Sequence, residues 1–221
     1  MGWATSRWIF IALAGLSLSG CQMFQGIFGG GRPDTQPPAA DESGEWRQIA
    51  TSADRDRLRR LRAAWTHALQ QARAAGHGPE LDALGPLADP DVALPDPLPS
   101  PGSYACRTIK IGAKSPGMLD YIAYPPFHCA VTAEPGGRLG LAKLTGSQRQ
   151  KGMMWADAPR RGVFLGTIEL GDEGRPMAYG ADVDRDVAGV VERVGEARWR
   201  LAMPWPRWES NLDIIELTPA G

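Results

Sequence analysis

The thiol of Cys21 is the group whose neighbours most clearly specify a reaction. It closes the run Leu18-Ser19-Gly20-Cys21, in which a branched apolar residue and two small residues precede a cysteine. Small residues allow the backbone to enter a protease cleft. The thiol can then take a diacylglyceryl group through a thioether, and the amine freed by cleavage can be acylated in turn. Two or three acyl chains anchor durably, because each buried CH₂ contributes about 0.8 kcal/mol. Arg7 gives a positive start, and Trp8 to Leu18 is an uncharged, mostly apolar run. That run is shorter than the roughly 20 apolar residues that span a bilayer, but it suits a signal-peptide core.

Residues 1–20 therefore read as a signal peptide, and the pattern resembles that of bacterial lipoproteins, with cleavage before Cys21. The alternative is an ordinary cleaved signal followed by an incidental cysteine. In the lipoprotein sorting pattern, Asp after the lipidated cysteine retains many proteins at the inner membrane. Gln22 stands there instead. The expected address is the cell envelope, lipid-anchored, at the outer membrane and facing the periplasm.

Other candidate chemistry is sparse. His67, His77 and His128 do not sit at metal-ligand spacing. Asp182, Asp184 and Asp186 begin like a calcium loop, but Val187 replaces the required glycine and Arg193 the bidentate glutamate. Ser147, within Thr145-Gly146-Ser147-Gln148-Arg149, has no nucleophile-elbow context and reads as a turn. Gly29-Gly30-Gly31 precedes no phosphate-binding helix. The carboxylate pairs Asp184 with Asp186 and Glu209 with Asp213 carry no sign of convergence. No catalytic residue, metal or cofactor is expected. The segment Met203 to Ser210 holds Trp205, Arg207, Trp208 and Glu209. Trp and Arg dominate binding hot spots, and prolines on both sides of Trp205 stiffen the loop. Those four residues form a possible binding surface. The other reading is a proline-kinked strand edge whose tryptophans plug a barrel end.

The elements that must position these residues can be read from the chain. Cys21 and the tether occupy 21–44, where glycines and Pro37-Pro38 exclude regular structure. Phe24, Ile27 and Phe28 lie near the anchor. An amphipathic helix is expected within 45–77: Leu58, Leu61, Trp65, Leu69 and Ala72 recur at spacings of 3, 4, 4 and 3, with five arginines between Arg55 and Arg62 on other faces. Residues 78–102 are a Pro-rich crossover with one helical turn near Glu80 to Leu84.

From 103 to 219 the period becomes two. Runs at Cys106–Ile111, Tyr121–Tyr124, Phe127–Ala133, Leu139–Leu144, Gly152–Trp155, Val163–Leu170, Met177–Tyr179, Val187–Val194, Arg198–Met203 and Leu212–Leu217 are separated by turn residues. Trp199, Leu201 and Met203 share one face, Arg198 and Arg200 the other. The fold class is mainly β with an N-terminal helix, an antiparallel barrel or sandwich of about eight to nine strands.

Bulk properties narrow the function. The 221 residues, with 43% hydrophobic content, suit one domain with appendages. A formal net charge of −1 gives no basis for a nucleic-acid partner. With Cys21 lipidated, Cys106 and Cys129 remain as an even pair in an oxidising compartment, so a disulfide is expected, with two buried thiols as the alternative.

Several stretches resemble the family called domain of unknown function 4893. They are Trp46, Ser52-Ala53-Asp54-Arg55-Asp56-Arg57-Leu58 and Trp65, then Tyr104-x-Cys106-Arg107-x-x-Lys110-x-Gly112. Lys143-Leu144-Thr145-Gly146-Ser147-Gln148-Arg149, Tyr179-Gly180 and Glu209-Ser210-x-Leu212 complete the set. The resemblance covers roughly residues 45–219 and implies a bacterial envelope protein of unassigned activity, with no catalytic residues to carry over. The expected function is a non-catalytic module that binds a protein or envelope component, held on a membrane through Cys21. The alternatives are a small-ligand carrier with a lipocalin-like hollow barrel, in which Gly140, Gly166 and Gly189 leave room, and an enzyme with an unfamiliar site.

Overall fold

The computed structural model describes residues 44–221. The expected signal peptide, Cys21 and the tether up to residue 43 lie outside the described residues. Nine strands follow one another as β1 (Gly102–Ala113), β2 (Tyr121–Ala123), β3 (Phe127–Ala133), β4 (Leu139–Lys143), β5 (Gln148–Ala158), β6 (Arg161–Leu170), β7 (Asp186–Gly195), β8 (Arg198–Pro204) and β9 (Ser210–Pro219). All pairings are antiparallel, each strand from β3 to β9 pairs with the next, and β1 pairs with β9. The result is a closed eight-stranded up-and-down barrel plus one extra strand.

The extra strand has a chemical cause. β2 and β3 lie on the same side of β1, with Ile109 opposite Ala123 and Cys106 opposite Phe127. Pro125 and Pro126 stand between them. Neither can donate a ladder hydrogen bond, so one wall strand is split in two. Tyr124 N still reaches the Thr108 carbonyl at 2.9 Å, which keeps the two pieces on a common line.

Closure sorts side chains into an inside and an outside. Tyr104, Met154, Phe164, Leu201 and Ile215 belong to the interior cluster. Phe164 also occupies the space beside two small partners: its Cζ lies 2.8 Å and 2.6 Å from where a Cβ would stand on Gly152 and Gly166. Leu201 does the same at Gly189, at 2.5 Å. Gly140 instead faces the Thr132 hydroxyl at 2.5 Å on the outer surface. The strand glycines are thus places where large side chains pack.

Four helices precede the barrel: α1 (Glu45–Ile49), α2 (Ser52–Arg59), α3 (Leu61–Ala74) and α4 (Gly78–Leu84), with a 3₁₀ turn at Gly85–Ala88. The single long helix expected from the apolar stripe is broken at Arg60, whose φ of −93° and ψ of 13° leave the helical region. The break lets the two halves serve different patches of a curved wall. Leu58 joins a cluster with Val163, Leu165 and Val190. Trp65, Ala68 and Ala72 pack on Ile109, Ile111 and Ile214. Gly112 allows this approach: at φ +73°, a Cβ there would stand 2.9 Å from the Ala68 Cα.

Two buried polar groups hold the helices down. Asp54 is fully buried, bonded to Arg57 at 2.7 Å and accepting from the Tyr179 hydroxyl at 2.6 Å. Arg200 is also fully buried; its guanidinium donates to Glu192 at 2.7 Å and to the carbonyls of Pro86, Leu87 and Asp89, and it lies over Trp65. The run Met177–Tyr179, expected as a strand, is irregular. It follows Pro176, and Tyr179 is drawn onto Thr51 and Asp54 of the helical layer instead of onto a neighbouring strand.

Cys106 and Cys129 form the expected disulfide, buried in the interior between the neighbouring strands β1 and β3. It closes a sequence separation of 23 residues. Replacing both with Ser should lower unfolding stability by about 3 kcal/mol, the value for lost loop-closure constraint. The check is chemical denaturation of the oxidised protein against the double variant. Equal midpoints would show that the bond adds nothing.

Candidate functional site

In an up-and-down barrel alternate loops gather at the same end. The β1–β2, β4–β5, β6–β7 and β8–β9 connections share one end, called here the mouth. Tyr104, at the other end of β1, sends its hydroxyl to the Ser100 carbonyl at 2.7 Å, and Leu98 of the incoming crossover packs against the core there. Apolar side chains close that end. The mouth is different: the inward positions of β1, β4, β5 and β9 are polar there, facing Leu170, Val187 and Met203 of β6, β7 and β8.

Parity explains how charge gets inside. Lys110 continues the inward series Tyr104, Cys106 and Thr108 on β1. Lys143 continues Leu139 and Leu141 on β4, and Asp213 shares the face of Ile215 and Leu217 on β9. On β5, Gln148 and Gln150 share the face of Met154. The pair Ala142 and Lys151 in the ladder places Lys143 beside Gln150. Lys110, Lys143, Gln150, Ser210 and Asp213 are all buried.

Their contacts divide unevenly. Lys110 Nζ lies 3.2 Å from Asp213, 2.9 Å from Glu209 and 3.3 Å from the Gln148 side-chain oxygen. Burial works against its charge, but the two carboxylates outweigh burial and leave its pKa above the ordinary lysine value. Burial raises the Asp213 pKa, with Lys110 and the Ser210 hydroxyl pulling the other way. Ser210 donates to Asp213.

Lys143 has no carboxylate partner among the described residues. Its Nζ donates to the Gln148 carbonyl at 2.9 Å and stands 3.9 Å from the centre of the Phe127 ring. Burial, then the positive charges of Lys110 and Arg149, pull its pKa down to about 8, against the attraction of Asp213. Such an amine can accept a proton near neutrality or pair with an anion. Two further buried atoms in the cluster, Thr108 Oγ1 and Gln150 Oε1, have no hydrogen-bond partner.

A second feature lies outside the barrel. The helices leave part of the outer face of β4, β5 and β6 uncovered, and a groove of about 480 Å³ runs along it. Gly140 and Ala142 keep its floor shallow, and Ile49, Met153, Trp155 and Met177 supply apolar surface. Ile49 and Met177 are 42% and 39% exposed.

The residues singled out from sequence are distributed otherwise. Trp205 packs with the helical cluster, its indole under Arg60 and 5.7 Å from the His67 ring. Trp208 packs against the interior cluster. Arg207 is exposed and pairs with Asp184 at 2.6 Å, while Glu209 turns to Lys110. The four residues thus contact different neighbours. Glu209 and Asp213 converge on Lys110; Asp184 and Asp186 do not act together, since Asp186 accepts from Gly180 N at 2.9 Å. Among the described residues no group of three or more His, Cys, Asp or Glu is placed to hold a metal. His77 lies against Tyr121 rather than near the other histidines.

Sequence reading missed Lys143, Gln150 and Thr108. The signal that finds them is strand parity carried past the last apolar residue.

A family model described as Domain of unknown function (DUF4893) matches residues 46–217. No curated protein and no solved structure matches the chain. Three of the stretches quoted for the resemblance, around Lys110, Lys143 to Arg149 and Glu209-Ser210, meet at the mouth.

The lowered Lys143 pKa sets a pH signature. The unfolded chain keeps this proton up to its ordinary pKa, given as 10.5, while the folded chain releases it near 8. Folding is therefore penalised below about pH 8, and the penalty fades as pH rises towards 10.5. Lys143→Met should raise stability at pH 7 by about 2–3 kcal/mol. That gain should shrink between pH 8 and pH 10. Denaturant midpoints of both proteins across this range test it; a gain independent of pH would show that Lys143 titrates like an exposed lysine.

Proposed function

The chain belongs to the DUF4893 family, and from this premise we propose that it is an envelope lipoprotein whose barrel is a non-catalytic binding module for a protein or another envelope component. The outer groove is the observation that carries this reading. A water-facing barrel wall ordinarily alternates polar residues outward, and a contiguous apolar trough on a soluble surface marks an interaction site. Here the trough spans three strands, has Gly140 and Ala142 on its floor, and is rimmed by apolar Ile49 and Met177 on one part and by Glu134, Arg138 and Lys151 on another. A flat, side-chain-poor floor suits an extended segment or ring laid against it.

The anchor belongs to the same proposal. Lipid on Cys21 would hold the domain at the outer membrane, with the folded part in the periplasm. A buried disulfide supports an oxidising compartment. The span from Cys21 to Gly44 is 23 residues, long enough to let the barrel reach a partner clear of the head groups.

Two measurements test the reading in cells. A photo-crosslinking residue at Ile49 or Met177 should yield a discrete adduct, and one at Val183, exposed elsewhere, should not. Converting Ile49 and Met177 to Asp should abolish the adduct formed from a label at Met153, without changing the amount of folded protein. Cys21→Ala should move the protein out of the membrane fraction. Equal labelling from groove and control positions would sink the binding role; retention of Cys21→Ala on the membrane would sink the lipid anchor.

A further inference from the structure

The mouth and the groove lie on different surfaces, and the mouth has a separate chemical imbalance. Two carboxylates, Asp213 and Glu209, are directed at one ammonium, that of Lys110. A second buried ammonium, Lys143, has only a backbone carbonyl and an aromatic face. A buried charge is normally paired, because an unpaired one loses its hydration without compensation. The neighbouring carboxylate that attracts it, Asp213, is already taken by Lys110 and the Ser210 hydroxyl, and the remaining neighbours supply no negative charge. Cys129, opposite Lys143 on β3, is in the disulfide; Gln150, beside it on β5, is neutral; Lys110 on β1 and Arg149 on β5 are themselves positive.

The orphaned polar atoms point the same way. Thr108 Oγ1 and Gln150 Oε1 are buried and unpartnered, on residues that are 4% and 2% exposed. Each belongs to a group able to donate: a hydroxyl at Thr108, and at Gln150 the carboxamide NH₂ after a half-turn. Two donors and an unpaired ammonium directed into one barrel end is the composition that receives an oxyanion. Access is from the loop end, where Gln148 and Glu209 are only partly buried.

We propose that the barrel mouth is a binding site for a small ligand bearing an oxyanion, a carboxylate or a phosphate group, whose anionic oxygens pair with Lys143 and take hydrogen bonds from Thr108 and Gln150. Lys110 does not serve as the principal anion contact, because Asp213 and Glu209 already hold it. Its charge instead contributes to the field at Lys143, as does that of Arg149. Asp213 and Glu209 oppose a ligand of high charge, so a singly charged oxyanion is favoured over a doubly charged one.

The test uses the full chain in detergent micelles, with lysine labelled at Cε and the Lys143 resonance identified by its loss in Lys143→Arg. Acetate and inorganic phosphate are titrated separately at constant ionic strength. The expected result is a saturable shift of the Lys143 signal, with its titration moved upward in the bound state, since a bound anion favours the charged amine. Tighter binding of acetate identifies a carboxylate ligand; tighter binding of phosphate identifies a phosphate-bearing one. Thr108→Val and Gln150→Leu should each weaken binding about threefold to tenfold, as expected for loss of one hydrogen bond. These two variants keep the question open to test if Lys143→Arg fails to fold. A linear, unsaturated shift of Lys143 matching that of Lys151 means an adventitious ion only and overturns the proposal. Saturation unchanged in both Thr108→Val and Gln150→Leu overturns it as well. Neither result bears on crosslinking at the groove, so the two readings stand or fall apart.

Discussion

The pairing of β1 with β9 is the constraint on which the rest of the structure depends. It runs from Tyr104 opposite Pro219 to Ala113 opposite Ser210, joining the first and last strands of the domain. Without it the sheet would expose two edges, each a row of unpaired amides and carbonyls open to other chains. With it, inside and outside are fixed for every strand at once. A one-residue slip at the seam would turn Lys110 and Asp213 outward and drive Ile109 and Ile214 into the lumen. The seam joins residues roughly a hundred positions apart in the chain, so the closing contacts carry a high loop entropy. The disulfide between β1 and β3 lies one strand away from this seam and holds one of its partners in place.

Closure also decides what the helices are for. A closed barrel filled by its own side chains does not need an outer layer, yet here part of the wall is apolar on the outside. Ile109, Ile111 and Ile214 would face water without α3, and Val163, Leu165 and Val190 without α1 and α2. Large apolar side chains stabilise by about 1.5–3 kcal/mol each when fully buried, so the helices and the outer wall depend on one another. The buried ions Asp54 and Arg200 fix where each helix sits. Arg200 takes three carbonyls that only the docked crossover supplies, and Asp54, held by Thr51 and Arg57 of its own helix, takes the Tyr179 hydroxyl from across the layer, so a shifted helix would leave these buried charges short of partners. The same logic leaves part of the face over β4, β5 and β6 bare: α1 stops at Ile49, and the next helix is tied by Asp54 and Arg57 to Tyr179 and the start of β7.

Much of this fold was legible in the sequence because its period-two signal is strong where residues are apolar. Trp199, Leu201 and Met203 were placed on one face by alternation, and they are interior. The Cys106–Cys129 pair followed from parity of number and compartment. The helical stripe was legible too, but not its break, because Arg60 is neither proline nor glycine and the kink arises from the curvature of the wall it covers. Met177 to Tyr179 misled for a related reason. A short apolar run has the same appearance whether it joins a sheet or packs across a helix, and the Tyr179 hydroxyl finds its acceptor on α2. The sequence could separate a barrel from a sandwich only through the β1–β9 pairing, a contact between remote strands with no local signature. The tryptophan-rich loop drew attention by composition, but Trp205 packs on the helical layer and Trp208 against the barrel interior, leaving Arg207 as its most exposed member.

The mouth was illegible for a different reason. Lys110, Lys143, Gln150 and Asp213 come from four strands, and each alone looks like an ordinary polar residue near a strand end. Read locally, a lysine following Leu139-x-Leu141 suggests that the strand has reached water. In a closed barrel that inference fails, since the position after the last apolar residue still points into the lumen. The charges inside are then governed by strand parity rather than by preference for solvent. Their energetic cost falls unequally: Lys110 is compensated by two carboxylates, while Lys143 retains a charge that burial and two neighbouring cations oppose. A barrel selected only for stability would place an apolar residue at position 143, as it does at 139 and 141. A lysine there lowers stability at neutral pH and supplies a positive group directed into the lumen.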